Sequence, residues 1–217
     1  MRQTPSGALW RRLELREVIA SEEELLGGWV RSFLDSLAVK DVYTREHTRR
    51  VASLSVTVAE GLGLRGERLR TLVVAALLHD IGKLRVPYEI LQKAGPLTDE
   101  EFAVIKRHPA DGVSLLRHVG GFASAEPVVL AHHERLDGRG YPNGLSGDEV
   151  PLDARILSAC DVYDALTSRR VYRDAWASER ALALLQDETG TAFDPAVVAA
   201  LVAVVAPASA ATEPLAA

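Results

Sequence analysis

The chain has 217 residues, with 25 Lys+Arg against 30 Asp+Glu, six His and one Cys. A chain this long buries roughly 70% of its unfolded surface, so it can fold without disulfides, and one cysteine cannot close an internal bridge. A net charge of -5 lacks the basic footprint of a DNA or RNA polymer binder, and 47% hydrophobic content excludes a disordered chain.

Taken in order, the pattern is helical nearly everywhere. Ser21 and Glu24 make a capping box, opening a helix with Leu25, Trp29, Phe33 and Leu37 four apart. Thr44 caps a second helix carrying Val51, Leu54 and Val58, which stops at Gly61-Leu62-Gly63. A third helix starts near Glu67, turns Leu69, Leu72, Val73, Ala76 and Leu77 one way, and ends near Gly82. Thr98 and Glu101 form another capping box, and Pro109 is expected to end or kink the helix through Ile105. A short helix covers 127–133, and a Gly-rich loop follows over 134–151. A loop of that length inside a compact domain is usually functional. Helices resume near Asp153 and over 178–190, and Asp194-Pro195 opens the last one with an N-cap followed by Pro at N1. No strand alternation, internal repeat or linker interrupts this pattern, so the expected fold is one all-α domain.

The N-terminus has no apolar core of a signal peptide, and the longest apolar run, 196–206, is too short to span a bilayer. The expected location is the cytoplasm, with no membrane contact.

Three polar anomalies sit on apolar faces. His79-Asp80 follows seven apolar residues and continues the buried face of the third helix. A buried carboxylate needs a cation or donors, although a helix-end Asp bonded to nearby backbone is the bland alternative. Asp161 lies mid-helix among Ile156, Leu157, Cys160 and Ala165, with Asp164 one turn on. His132-His133 closes an apolar helix just before the long loop; adjacent helical residues point about 100° apart, so both reach one site only near a helix end. His47 and His108 are individually unremarkable, and His118 reads as an ordinary helical histidine.

Together these give five imidazoles and at least two carboxylates without a thiolate, a set suited to Fe, Mn, Co, Ni or Zn rather than a Ca or Mg cage. Seven ligands exceed what one catalytic metal takes, so a dinuclear site sharing a carboxylate is the natural arrangement, competent for phosphoryl chemistry. Lys83, Arg85, Arg169, Arg170 and Arg173 are either solvated basic turns or phosphate contacts.

The residues resemble a known family. His47, His79-Asp80 and Asp161 are similar to the ligand series of the HD phosphohydrolase superfamily. HDIGKLRVPYEILQKAGPLTDEEFAVIKRHPADG, then HHERLDGRGYPNGLSGDEVPLDARI, then DVYDALTSRRVYRDA resemble its HD-GYP subfamily, with Gly140-Tyr141-Pro142 as the GYP signature. The match runs over about residues 36–205. The resemblance implies an HD-type helical bundle with an extra helical hairpin and a long loop carrying that signature. It divides the chain into an N-terminal helical extension (1–35), the HD-GYP domain (36–205) and a flexible tail (206–217).

The resemblance also implies a metal-dependent phosphodiesterase that opens cyclic di-GMP to the linear dinucleotide pGpG, or continues to GMP, through a metal-bridging hydroxide. One of two divalent ions, Fe or Mn first and Co, Ni or Zn next, would take His47, His79, Asp80 and Asp161. The other would take Asp80, His108, His132 and His133, with Asp80 bridging and catalytic. Lys83 would contact the scissile phosphate, Arg170 and Arg173 would hold phosphates or bases, and Tyr141 would face the substrate or support the loop. Regulation would come from a partner such as a GGDEF-type domain, from a homodimer through the N-terminal helix, or from a further part of the protein.

Some positions depart from the family. Tyr43 stands where some members carry a third-metal Glu, so the site is expected to be dinuclear. Val171 replaces the Pro of R-P-Y, Cys160 replaces a common Ala, and Ala94 replaces a frequent Pro. The competing readings are another cyclic dinucleotide or nucleotide as substrate, a non-catalytic signalling module, and a structural bundle with chance histidines.

Overall fold

The computed structural model describes residues 44–169 and 174–205, together with 32, 35–37 and 39. The capping box at 21–24, the helix expected through Leu25, Trp29 and Phe33, and Tyr43, Arg170, Val171, Arg173 and the tail from 206 lie outside the described residues.

The described residues form helices α1 (Thr44–Gly61), α2 (Gly66–Leu78), α3 (Tyr88–Leu91), α4 (Asp99–Ile105), α5 (His108–Val119), α6 (Glu126–Ala131), α7 (Leu152–Thr167), α8 (Ser178–Asp187) and α9 (Pro195–Val205). Two 3-10 turns, Ile81–Arg85 and Gly147–Glu149, lie between them, and the only extended pairings among the described residues are isolated bridges at Asp137–Ser146 and Thr189–Phe193. The all-α expectation holds.

Helix α1 ends as its glycines dictate. Gly63 takes a positive φ of 86°, its N–H donates to the Glu60 carbonyl, and Leu64 donates to Ala59 at 2.9 Å. This is the Schellman pattern, with Leu64 buried as the following apolar contact. The Thr98 capping box closes in both directions, and the Asp194 carboxylate accepts from Ala196 and Val197 at the start of α9.

Two boundaries differ from the expectation. The third predicted helix does not run to Gly82: α2 stops at Leu78, His79 is its C-cap, and Asp80 turns into the 3-10 segment with φ -93° and ψ 2°. Nor does Pro109 break a helix. The one through Ile105 ends there, and Pro109 occupies the first turn of α5, where a missing N–H leaves no intrahelical bond unmade.

The core is aliphatic. Val51 and Val58 from α1, Leu72, Val73 and Leu77 from α2, and Ile156 and Leu157 from α7 are buried, and α1 packs on both α2 and α7. Each such side chain contributes roughly 1.5–3 kcal/mol of burial. Helix α5 packs on the first 3-10 turn and on α6, which in turn packs on α2 and α7. These packings bring the ends of α2, α5 and α6 to the first turn of α1 and the middle of α7. Among the described residues no helix is long and apolar enough to cross a membrane.

Candidate metal centre

Three of the histidines sit at helix ends: His79 at the C-cap of α2, His108 in the first turn of α5, His132 at the C-cap of α6. Each is buried, and each ring donates Nδ1–H to the carbonyl three residues back: His79 to Ala76 at 2.7 Å, His108 to Ile105 at 2.9 Å, His132 to Val129 at 2.6 Å. A carbonyl only accepts, so the proton is fixed on Nδ1 and the Nε2 lone pair faces inward.

Inside, those lone pairs meet other acceptors. Nε2 of His108 and Nε2 of His132 are 3.2 Å apart, and Nε2 of His79 is buried with no hydrogen-bond partner. His79 Nε2 lies 3.5 Å from Asp80 Oδ2 and 3.8 Å from Asp161 Oδ1, while His108 Nε2 lies 3.4 Å from Asp80 Oδ1. Acceptors crowded at such separations repel unless a cation lies between them. Two ligand atoms about 2.1 Å from one ion, at ordinary coordination angles, are themselves about 3.0–3.5 Å apart. The donor set therefore fits divalent ions better than it fits an internal hydrogen-bond network.

His47 enters from the side of α1. Its Nε2 is 3.1 Å from Asp161 Oδ1 and its Nδ1 is 2.7 Å from Asp164 Oδ2, so it too is flanked by acceptors. His133 completes the ring cluster, 4.1 Å from His132 and 5.0 Å from His108 by centroid. Two groups have ligand atoms mutually close enough to share an ion: His47, His79 and Asp80, and His108, His132 and His133. Asp80 has one oxygen toward each group.

Burial and charge set the protonation states. Burial alone would push the Asp80 carboxyl up, but the Lys83 ammonium and the surrounding imidazoles hold it well below the usual carboxylate range. Lys83 Nζ donates to Asp80 Oδ2 at 2.6 Å and is partly exposed, at the edge of the cluster. Burial pushes His108 down to about 3 and His133 to about 4, with His132 also well below its ordinary value, so these rings stay neutral, as metal ligands must. His47 goes the other way: burial opposes its charge, but bonds to Asp161 and Asp164 raise it to about 9.

The GYP loop closes against this cluster. Tyr141 N donates to the His133 carbonyl at 3.1 Å and its ring lies 4.8 Å from the His133 ring. A Cβ at Gly140 would collide with Arg135 N, Glu134 Cα and the His133 carbonyl, so only glycine lets the loop lie on that turn. The buried Glu134 carboxylate accepts from Asn143 N at 2.7 Å and Leu145 N at 3.1 Å.

All seven expected ligand side chains converge, and Lys83 and Tyr141 border them. Arg170 and Arg173 lie outside the described residues, and Arg169 is exposed. Arg85 pairs with Asp111 instead of facing the cluster. Sequence reasoning gave no role to Arg50 or Glu134 and left Asp164 without one. The available signals were Arg50 three residues after His47, Asp164 three after Asp161, and a Glu directly after the His pair. His118 is exposed and bonds the Ser114 carbonyl, an ordinary helical histidine.

Comparison with known proteins places the chain in a family. A family model described as HD domain matches residues 16–197. The cyclic di-GMP phosphodiesterase response regulator RpfG of Xanthomonas campestris is 41% identical over 194 residues, covering 86% of this chain and 49% of that protein. The cyclic di-GMP phosphodiesterase PA4108 of Pseudomonas aeruginosa is 43% identical over 169 residues, covering 76% and 40%. The chain thus spans half or less of these relatives. Among solved structures, the cyclic GMP-AMP specific phosphodiesterase V-cGAP3 of Vibrio cholerae matches with TM-score 0.52 and 35% identity over 82% of this chain and 41% of that one. Bd1817, an HDG"Y"P protein from Bdellovibrio bacteriovorus, matches in fold with TM-score 0.64 at 20% identity, over 86% and 64%. A buried His/Asp cluster at helix ends, an His-Asp turn after an apolar helix, and these matches agree: the chain belongs to the HD domain family.

Proposed function

We propose that this domain is a metal-dependent phosphodiesterase that hydrolyses cyclic di-GMP to pGpG and/or GMP. The observation that carries it is the buried convergence of imidazole Nε2 atoms on carboxylate oxygens, with His79 Nε2 unpartnered and Nε2 of His108 and His132 3.2 Å apart. His47, His79, Asp80 and Asp161 would hold one divalent ion, and Asp80, His108, His132 and His133 the other, with Fe or Mn ahead of Co, Ni or Zn. Two such ions supply Lewis acidity toward phosphoryl oxygens and a nucleophilic water at neutral pH.

The chain's own residues do the rest. Asp80 spans both halves and keeps their spacing. Lys83, anchored on Asp80 yet partly exposed, offers an ammonium to the scissile phosphate. Tyr141 covers His133 and narrows the approach on that side. Arg170 and Arg173 are assigned phosphates or bases on the motif alone. Because the chain spans only part of its relatives, a regulatory partner, a GGDEF-type domain or a second copy, belongs to the same proposal.

A second reading, 3'3'-cGAMP as substrate, is favoured by the similarity to V-cGAP3 and to a Vibrio cholerae relative named a 3'3'-cGAMP-specific phosphodiesterase. The test supplies both cyclic dinucleotides to protein purified without oxygen, with product analysis. Cyclic di-GMP should turn over faster, and Asp80→Ala and Lys83→Ala should each lower turnover, the first by at least about 10²-fold. Unchanged turnover in Asp80→Ala would sink the mechanism; faster turnover of 3'3'-cGAMP would move the substrate to the second reading.

A further inference from the structure

We propose that Asp164, gripped by Arg50, is a positioning residue: it fixes His47 and thereby sets the metal affinity of the His47–His79–Asp161 half of the centre. The inference rests on the metal-centre reading above and deepens it.

His47 is oriented unlike its neighbours. His79 and His132 each take orientation from a carbonyl of the helix they close, and His108, which opens α5, from the Ile105 carbonyl at the end of α4, so a helix end is enough. His47 lies in α1 well before its C-terminal end, and its Nδ1 partner comes from 117 residues away, on α7. Asp161 and Asp164 are three apart on α7 and project from one face, so they clasp the imidazole from both sides, at Nε2 and at Nδ1.

Arg50 fixes the clasp. It is three residues after His47 on α1, and its guanidinium donates Nε to Asp164 Oδ1 at 2.6 Å and Nη2 to Oδ2 at 3.0 Å. The same Nη2 reaches Ser168 Oγ at 2.9 Å. Both Asp164 oxygens are thus taken by the fork, and one of them also meets His47. Asp164 is buried while Arg50 is half-exposed, so the arginine carries solvent-side charge to a carboxylate that would otherwise be costly inside.

The chemical consequence follows from donor counting. An ionised carboxylate only accepts, so His47 must keep its proton on Nδ1 and present the Nε2 lone pair to the centre. The carboxylate also makes the imidazole a stronger donor, an arrangement whose loss typically costs 10–100-fold in metal affinity. The other half of the centre, oriented by helix carbonyls, does not depend on it.

The experiment titrates Mn²⁺ into the metal-free 217-residue chain by calorimetry for wild type, Asp164→Asn and Arg50→Gln, each also in a His133→Ala background that leaves the His47 half alone. The expected result is two ions in wild type. In Asp164→Asn one ion should be weakened about 10–100-fold and the other left within about 2-fold. Arg50→Gln, changed on the half-exposed side, should move the same ion in the same direction by less, and it reads the effect even if Asp164→Asn fails to fold. Affinities unchanged in both variants, or both ions weakened equally as a merely structural ion pair would do, overturn the proposal while the metal-centre reading stands. A wild type that binds no metal overturns both.

Discussion

Residue by residue, the cluster is built by spending Nδ1 of its helix-end histidines on backbone carbonyls and turning Nε2 inward. His79 spends Nδ1 on Ala76 and leaves Nε2 buried and unpaired, a state a protein keeps only for a ligand or a strain function. The backbone supports it with equal economy of space. Gly140 is the clearest case: Gly140→Ala would drive the GYP loop off the 133–135 backbone and with it the Tyr141 contact to His133. The expected outcome is a loss of about 1–3 kcal/mol of stability by denaturant unfolding together with weaker binding of one metal ion, whereas unchanged stability and metal count would contradict the packing account. Of the proposed ligands, His79-Asp80, His132-His133 and Asp161 were legible in the sequence as polar residues on apolar faces, whereas His47 and His108 came only from the family resemblance. The Arg50–Asp164–His47 clasp was not legible, since it joins residues more than 110 apart in the chain and no local period encodes that meeting.

At the scale of elements, helix ends make the site. The C-caps of α2 and α6 and the first turn of α5 turn three histidines inward, the first turn of α1 adds His47, and α7 adds Asp161 from its side. What registers α5 against the His79-Asp80 turn is a backbone approach: a Cβ on Gly82 would collide with both the His108 carbonyl and the Gly112 N. Gly82→Ala must therefore separate Asp80 from His108, now 3.4 Å apart, and should cost metal affinity in both halves because Asp80 serves both. Titration of Mn²⁺ checks it; affinity within about 2-fold of wild type would show that the turn tolerates the methyl. Caps and helix faces were legible from Thr98, Gly63 and Asp194. The end of α2 and the start of α5 were misjudged, because apolar periodicity runs through His79-Asp80 and Pro109 reads as a breaker when it is a starter. Tertiary docking of the 3-10 turn on α5 decides both boundaries, and periodicity does not carry it.

For the whole molecule, the centre couples to stability. His108, His132 and His133 are buried with folded pKa values below the ordinary 6.5, so the unfolded chain binds more protons and the fold loses stability as pH falls below about 6.5 toward 4. His47 has the opposite sign: raised to about 9, it stabilises fully below 6.5 and loses that contribution as pH rises through 9. The metal-free chain should therefore melt highest near pH 6.5–7 and lower on both sides, and a Tm flat from pH 5 to 9 would contradict these environments. A metal bound at His47 would take the place of its proton, so the alkaline decline should shrink on loading.

The most direct test of the account is the metal content of the chain purified without oxygen, measured by elemental analysis for wild type and His133→Ala. If the seven side chains form one dinuclear centre, wild type carries two ions per chain and the variant one. A wild type with fewer than two, or a variant that still carries two, contradicts it.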